Sequence, residues 1–515
     1  MSRHFRHYVE TDPERVAIIE GDTPVHTYQS LALAADRVSQ VLLTAGTQRG
    51  DVICALLPNG ADMLVVQRGV MQLPVYFSTI NWHLTAHEIS YILRDSAVRI
   101  FFTNEAMAPT AREAVRLAEL PEDVLIIVDA PESEQLSLRK RELTAPDGRP
   151  VTSTAGTRRL YTSGTTGHPK AVLRPLPTAS VADQAQANVA RATLYGAGHE
   201  DGRYLSVAPM YHAAPCAYAD QSLDLGHTVV ILPKWSAEAA LKAIVDHQIT
   251  WTYMVPLMFQ ELLRLPGARQ TDVSSLRSVI HTAAPCPPHV KRAMIDWVGP
   301  ILMEIYGGTE GSATFITSPE WLKYPGSVGR ARPGARVEIR DDEGELAPAG
   351  VPGHIFFENA ALAFVYANDE EKTASSRKGG AITLGDIGFL NDDGYLFLCD
   401  RKADIVISGG VNIYPAEIEH AMKELDGIAD ACVIGVPDEK WGETLLAVVV
   451  THDGALGNDE ARALEISEAL RQRIAGFKVP KQYEFVAELP YSEAGKLLRR
   501  TVRDRYAPNG AFSGQ

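Results

Sequence analysis

The chain has 515 residues, 45% of them apolar and 22% charged, with 49 Lys and Arg against 64 Asp and Glu for a net charge of −15. That length predicts two to four domains or subdomains of an ordinary globular protein. The acidic excess argues against non-specific binding to nucleic acid or an anionic membrane face, so a polyanionic ligand would need cationic groups gathered locally.

The first residues, "MSRHFRHYVETDPERV", contain no apolar core, and no run of 18 apolar residues follows. Neither a signal peptide nor a membrane span is expected. "TYQSLALAADRVSQVLLTAG" predicts a helix, with Leu31, Ala34, Ala35, Val38 and Leu42 on one face and Gly46 as its stop. "DVICALL" reads as a buried strand, "ADMLVVQRGVMQL" as a helix, "RIFFTN" and "HTVVILP" as strands and "SAEAALKAIVDHQ" as a helix. Strands alternating with helices predict parallel α/β sheets. After about residue 325, "ARVEIRDDEGEL", "GHIFFEN" and "DIGFLNDDGYLFLCD" predict antiparallel hairpins and a barrel-like β subdomain. Beyond about residue 402 helices and strands alternate again on a smaller scale, with Pro415 opening a helix whose buried face is Ile418, Ala421, Met422 and Leu425. The five cysteines, Cys54, Cys216, Cys286, Cys399 and Cys432, are scattered without metal-ligand spacing, which fits a reduced, cytoplasmic chain.

Four stretches carry chemistry. "YTSGTTGHPK" (161–170) lies between two strand-like segments, "RRLYT" and "AVLRP", and is pinned at both ends. Gly164 and Gly167 let backbone N–H groups approach an anion, Thr162, Ser163, Thr165 and Thr166 add hydroxyl donors, and Lys170 adds charge. It departs from the P-loop pattern, because no glycine stands five positions after Gly164 and Ala171 follows Lys170. In "EIYGGTEG", Tyr306 next to Gly307 can stack on a base, Thr309 can donate to a phosphate, and Glu310 can ligate a Mg²⁺ that bridges phosphate oxygens. Asp386 and Arg401 flank the "NDDG" hairpin. They are either ordinary turn residues or a carboxylate for two ribose hydroxyls and a guanidinium for ribose or phosphate. Lys496, on the small-residue loop of "PYSEAGKLLRR", is by itself a solvated lysine beside Arg499 and Arg500.

Together, in this order, these stretches resemble the adenylate-forming superfamily of acyl-CoA synthetases, peptide-synthetase adenylation domains and luciferases. The likeness covers nearly the whole chain. "MYHAAP" and "ISGGVNIYPAEIE" are most similar to the acyl-/aryl-CoA ligase branch. The resemblance implies a large N-terminal domain (1–401) of layered sheets and helices and a small mobile α+β C-terminal domain (402–515). It implies ATP, Mg²⁺ and coenzyme A acting on a small carboxylic acid, first to an acyl-adenylate and then to a thioester. The 162–170 loop would hold the β- and γ-phosphates, Thr309 and Glu310 the α-phosphate and Mg²⁺, and Asp386 and Arg401 the ribose. Adenine would lie between Tyr306 and the wall Ala283, Ala284 and Pro285. Lys496 would bridge the carboxylate and the α-phosphate. His212 would gate the acyl pocket, Gly409 and Gly410 would pass the pantetheine arm, and Trp441 and Phe477 would either stack on the adenine of CoA or pack as ordinary hydrophobics.

Two positions depart from the family pattern. Ala403 stands where the hinge is usually Asp or Lys, and Thr282 stands where a glycine is common, predicting a shortened pocket for a short or aromatic acid. Ala403 keeps open another acceptor in the same fold: a carrier protein, or a nitrite-activating reaction on an aryl amine. A non-catalytic nucleotide binder is disfavoured by the intact set Lys170, Glu310, Asp386, Arg401 and Lys496.

Overall fold

The computed structural model describes residues 4–506 apart from 151, 153, 163–168, 333, 360–363, 402, 403, 409, 410, 439, 440, 458, 493 and 494. Five parallel strands form one sheet in the order Leu125–Ile127, Ile100–Thr103, Val52–Leu56, Tyr76–Thr79, Thr157–Arg158. Every residue of Val52–Leu56 is buried, as expected of a strand with helices on both faces. A second, larger sheet begins with the hairpin Val16–Glu20/Thr23–Thr27. It continues through the parallel strands Thr228–Ile231, Arg203–Ser206, Trp251–Met254, Ser278–His281 and Leu302–Gly308.

The helix Tyr28–Thr44 sits where the 3.6-residue period put it. Thr27 and Ser30 close its first turn with reciprocal side-chain-to-backbone bonds, and Gly46, at φ +75°, ends it. Leu31, Ala35, Val38 and Leu42 are buried, while Ala34 is only half-buried. The helix packs against Ala61–Met71, whose Gly69 permits the contact. A β-carbon there would lie 2.5 Å from the Val38 β-carbon, so only glycine fits. One continuous apolar core links these helices to both sheets.

The antiparallel strands after residue 325 form the barrel-like part. In the described pairings they continue the larger sheet through Gly311–Thr317 and Ser327–Ala331 and enclose their own core around Ile339, Ile355, Phe357 and Leu396. The hairpin Asp386–Leu390/Leu396–Arg401 places Asp386 opposite Arg401 in register.

Residues 406–506 bury separate apolar clusters. Their sheet runs in the order Val411–Ile413, Val406–Ser408, Gly442–Thr451, Ile428–Asp438, with Gln482–Phe485 parallel to Gly442–Thr451. The helix opening at Pro415 ends at Lys423, so Leu425 lies just past it rather than on it. Ile418, Ala421 and Met422 are its buried face, as expected. Among the described residues, no helix is long and apolar enough to cross a membrane.

Candidate active site

Strands Leu160–Thr162 and Lys170–Leu173 pair antiparallel, with Thr162 opposite Lys170. Both ends of the 161–170 stretch are therefore held by backbone pairing. Ser163, Gly164, Thr165, Thr166 and Gly167 lie outside the described residues. The Lys170 ammonium pairs with Asp369, the N-cap of the short helix Glu370–Ser375. That contact draws the Asp369 carboxyl below its ordinary range, and Asp369 was not singled out by the sequence.

The turn after Leu302–Gly308 carries Thr309 and Glu310. The Arg174 guanidinium donates to the Thr309 carbonyl at 2.8 Å. Glu310 is 8% exposed, and Oε1 accepts from the Tyr366 hydroxyl at 2.6 Å. Burial and this carboxylate push the Tyr366 hydroxyl well above its ordinary pKa, so it stays protonated as a donor. Tyr306, also buried, donates to Asp386 Oδ2 at 2.7 Å. The base-stacking and ribose-binding candidates thus touch each other, and the backbone of Arg401 lies opposite Asp386.

Ala283 holds φ +77°, a left-handed backbone that costs a non-glycine residue roughly 1–2 kcal/mol. Such strain is held only where the surroundings enforce it. They do so here: the preceding strand pairs in parallel with Leu302–Gly308 as far as His281 opposite Glu304, and the fully buried Lys291, on the helix that follows the Ala283–Pro285 loop, binds Glu304 at 2.6 Å.

His212 is the N-cap of the helix Ala213–Asp224. Burial, aided by the nearby positive charge of Lys496, lowers its pKa to about 4, so its imidazole is neutral at pH 7. Lys496 is exposed, on a turn whose Ser492 bonds both its N–H and its carbonyl. Gly495, at φ +68°, leans on the large lobe: a β-carbon there would stand 3.1 Å from Leu257 and Val255. The chain thus brings Lys496, 284 positions away in sequence, into electrostatic reach of His212. Behind the turn Arg499 pairs with Glu419 and donates to the Val433 carbonyl at 2.7 Å.

Gly409, Gly410 and Ala403 lie outside the described residues; the strands Val406–Ser408 and Val411–Ile413 pair antiparallel. Trp441 and Phe477 are 42% and 57% exposed. Lys481 sits 5.3 Å from the Trp441 ring and Lys478 5.8 Å from the Phe477 ring.

A cavity of about 900 Å³ adjoins this site. Its lining includes Gly308, Thr309 and Ala213, the neighbour of His212, and reaches to His4 and Arg149. Thr282 is not part of the lining, so its side chain does not shorten this cavity. Among the described residues no cluster of three or more His, Cys, Asp or Glu side chains is placed to hold a metal. A Mg²⁺ held by one carboxylate and nucleotide phosphates needs no such cluster, and Glu310 keeps an oxygen beyond the one Tyr366 occupies.

Residues 5–367 match the family model of the AMP-binding enzymes, and residues 417–496 match that of the AMP-binding enzyme C-terminal domain. The chain is 31% identical over 511 residues to the long-chain-fatty-acid–CoA ligase FadD13 of Mycobacterium tuberculosis (strain ATCC 25618 / H37Rv), spanning 98% of this chain and 97% of that one. It is 30% identical over 511 residues to the fatty acid–[acyl-carrier-protein] ligase ScoC of Streptomyces coeruleorubidus, spanning 97% and 95%. The structure of o-succinylbenzoate CoA synthetase (MenE) from Bacillus subtilis, in complex with its acyl-adenylate intermediate, matches with a TM-score of 0.80 at 25% identity over 98% of each chain. The chain therefore belongs to the AMP-binding enzyme family and is an AMP-forming ligase of the acyl-CoA synthetase type.

Proposed function

We propose that the chain joins a carboxylic acid to coenzyme A in two steps within one crevice between residues 1–401 and 402–515. In the first, a carboxylate oxygen attacks the α-phosphorus of ATP and pyrophosphate leaves. In the second, the CoA sulfur attacks the acyl carbon and AMP leaves. The observation that carries this reading is the Lys496 turn packed through Gly495 against Leu257 and Val255 of the large lobe, which brings Lys496 within electrostatic reach of His212.

Lys496 draws the two anionic reactants together and offsets the charge that builds as they react. Lys170 and the rest of the 162–170 stretch, Ser163, Gly164, Thr165, Thr166 and Gly167 included, would hold the β- and γ-phosphates. Glu310 would hold Mg²⁺, which neutralises phosphate charge when bound. Thr309 would orient the α-phosphate, its own backbone steadied by Arg174. Asp386 would accept the ribose hydroxyls together with Arg401, and Tyr306 would face the adenine across from Ala283–Pro285. His212, neutral, closes the acid site without adding a positive charge to compete with Lys496. For the second step the small lobe must turn, removing Lys496 and bringing in Gly409 and Gly410, a domain motion of a kind that limits many enzymes.

Coenzyme A is favoured over a carrier protein as acceptor because Trp441 and Phe477 are exposed rings with a lysine beside each. That pairing suits a purine carrying phosphates. The test is pyrophosphate release across a panel of acids, and with nitrite plus aryl amines, each with and without CoA, the products read by mass spectrometry. AMP and an acyl-CoA are expected. ADP as product, a diazo compound, or ATP binding without pyrophosphate release would refute the assignment.

A further inference from the structure

The cavity beside Thr309 differs in charge from the rest of the molecule. In a chain of net charge −15, seven arginines and two aspartates line it. Both aspartates are already engaged. Asp224 takes Arg68 at 2.8 Å and Asn188 at 2.9 Å, and Asp220 takes Arg68 at 3.0 Å and Arg158 at 3.3 Å. Arg174, Arg191 and Arg332 have, among the described residues, no carboxylate within 4 Å. Arg174 spends one nitrogen on the Thr309 carbonyl, and its buried Nε has no hydrogen-bond partner among the described residues. Arg332 lies 5.3 Å over the Tyr195 ring, so an aromatic face rather than an anion supports it.

These cations also stand close enough to repel one another. Burial, then Arg191 and Arg158, pull the Arg174 pKa below its ordinary range, with Glu310 opposing. Gathering like charges without counter-ions costs folding free energy, and such a cluster is retained where a ligand supplies the missing charge. The wall between them is mixed: Gln184, Asn188 and Gln221 are polar, and Leu160, Val172, Ala213, Ala217 and Tyr218 supply an apolar and aromatic stretch.

On the acid-activating reading above, we infer that the preferred acid carries a second carboxylate, separated from the reacting one by an apolar spacer and bound by Arg191 and Arg332, with Arg174 at the Thr309 end. The reacting carboxylate would meet Lys496 at the Thr309 end. The spacer would lie along Ala213, Ala217 and Tyr218, and the distal carboxylate would supply the counter-charge the arginines lack. Guanidinium groups suit this role because their planar donor fork matches a carboxylate.

The experiment compares matched acids: suberate with its monomethyl ester and octanoate, and terephthalate with its monomethyl ester and benzoate. AMP release gives kcat and KM for each acid. Thermal shift in the presence of α,β-methylene-ATP gives binding independently of turnover. A charge-assisted contact predicts that a diacid exceeds its half-ester about 10- to 100-fold in kcat/KM, chiefly through KM. Arg191→Gln and Arg332→Gln should each remove most of that ratio and the matching thermal shift. The wild-type ratio is decisive even where a variant folds poorly. Half-esters turned over as well as diacids overturn the inference while leaving the ligase intact. So does a diacid preference that survives both variants, or a rise in the KM of ATP rather than of the acid. If no acid releases AMP, the ligase reading fails; an arginine-dependent shift with diacid alone then still supports the anion site, and its absence overturns it.

Discussion

The acidic groups of the large lobe and the lysine of the small lobe are held in opposite ways. Glu310 and Asp386 are each 8% exposed and each bound by a buried tyrosine hydroxyl, at 2.6 and 2.7 Å. Lys496 is exposed on a turn. Buried carboxylates with fixed partners are oriented before any ligand arrives and need no reorganisation later. An exposed lysine on a small lobe with its own core can be brought in for one step and withdrawn for the next. On the proposed function, the difference would build permanence into the nucleotide side of the site and exchange into the cationic side.

The strongest way to break this comparison is to loosen what stands behind the lysine. Arg499→Met leaves the buried Glu419 without its cationic partner, keeping only the Val433 N–H, and is expected to cost about 3–5 kcal/mol. Urea melts of the full chain should show it, and Arg499→Met with Glu419→Leu should recover much of the loss. A single variant as stable as wild type would mean that the pair is no anchor. Lys496→Ala removes the delivered cation itself. Adenylation should fall about 10²- to 10³-fold, while thioester formation from preformed acyl-adenylate stays within about fivefold. Rapid-quench measurement of both half-reactions reads this, and equal losses would contradict a role confined to the first.

A third measurement concerns pH. Burial holds both His212 and His227 at a pKa of about 4. His227 Nδ1 accepts from the Trp251 indole at 3.0 Å, and its Nε2 faces the His199 carbonyl at 2.8 Å, an arrangement only the neutral ring satisfies. Between pH 4 and 6.5 the unfolded chain binds more protons at these positions than the folded one. Stability is therefore complete above about pH 6.5 and falls as the pH drops towards 4, by up to about 3 kcal/mol for each histidine. Denaturant midpoints at pH 7.5 and 5 should differ in that direction, and the difference should shrink in His227→Gln. The smallest effect belongs to the exposed rings. Phe477→Ala should leave stability within about 0.5 kcal/mol and raise the KM for CoA about two- to fivefold with the KM for ATP unchanged. An unaltered KM for CoA would remove Phe477 from the acceptor site.

Local features were readable in advance. The period of Leu31, Ala35, Val38 and Leu42 and the stop at Gly46 define one helix, because burial on a helix face depends on residues three and four apart. The strand-like flanks of the 161–170 stretch imply a loop pinned at both ends, and the Thr162–Lys170 pairing is that pin. The partners that complete the candidate site were not readable. Tyr366 reaches Glu310 across 56 positions, Arg174 reaches Thr309 across 135, and Asp369 reaches Lys170 across 199. No local period encodes such contacts. The exposure of Trp441 and Phe477, 42% and 57%, was likewise not readable from the sequence.

By itself, then, the sequence determined the α/β class, the order of its elements and the short motifs whose glycines, hydroxyls and charges sit within a few residues of one another. Tertiary structure alone decided which charges share a cavity. Hydrogen bonds along one element act between neighbours in the chain, whereas electrostatic interaction depends on distance in space. Arg158, Arg174, Arg191 and Arg332 become one cationic surface only when four separate segments pack together.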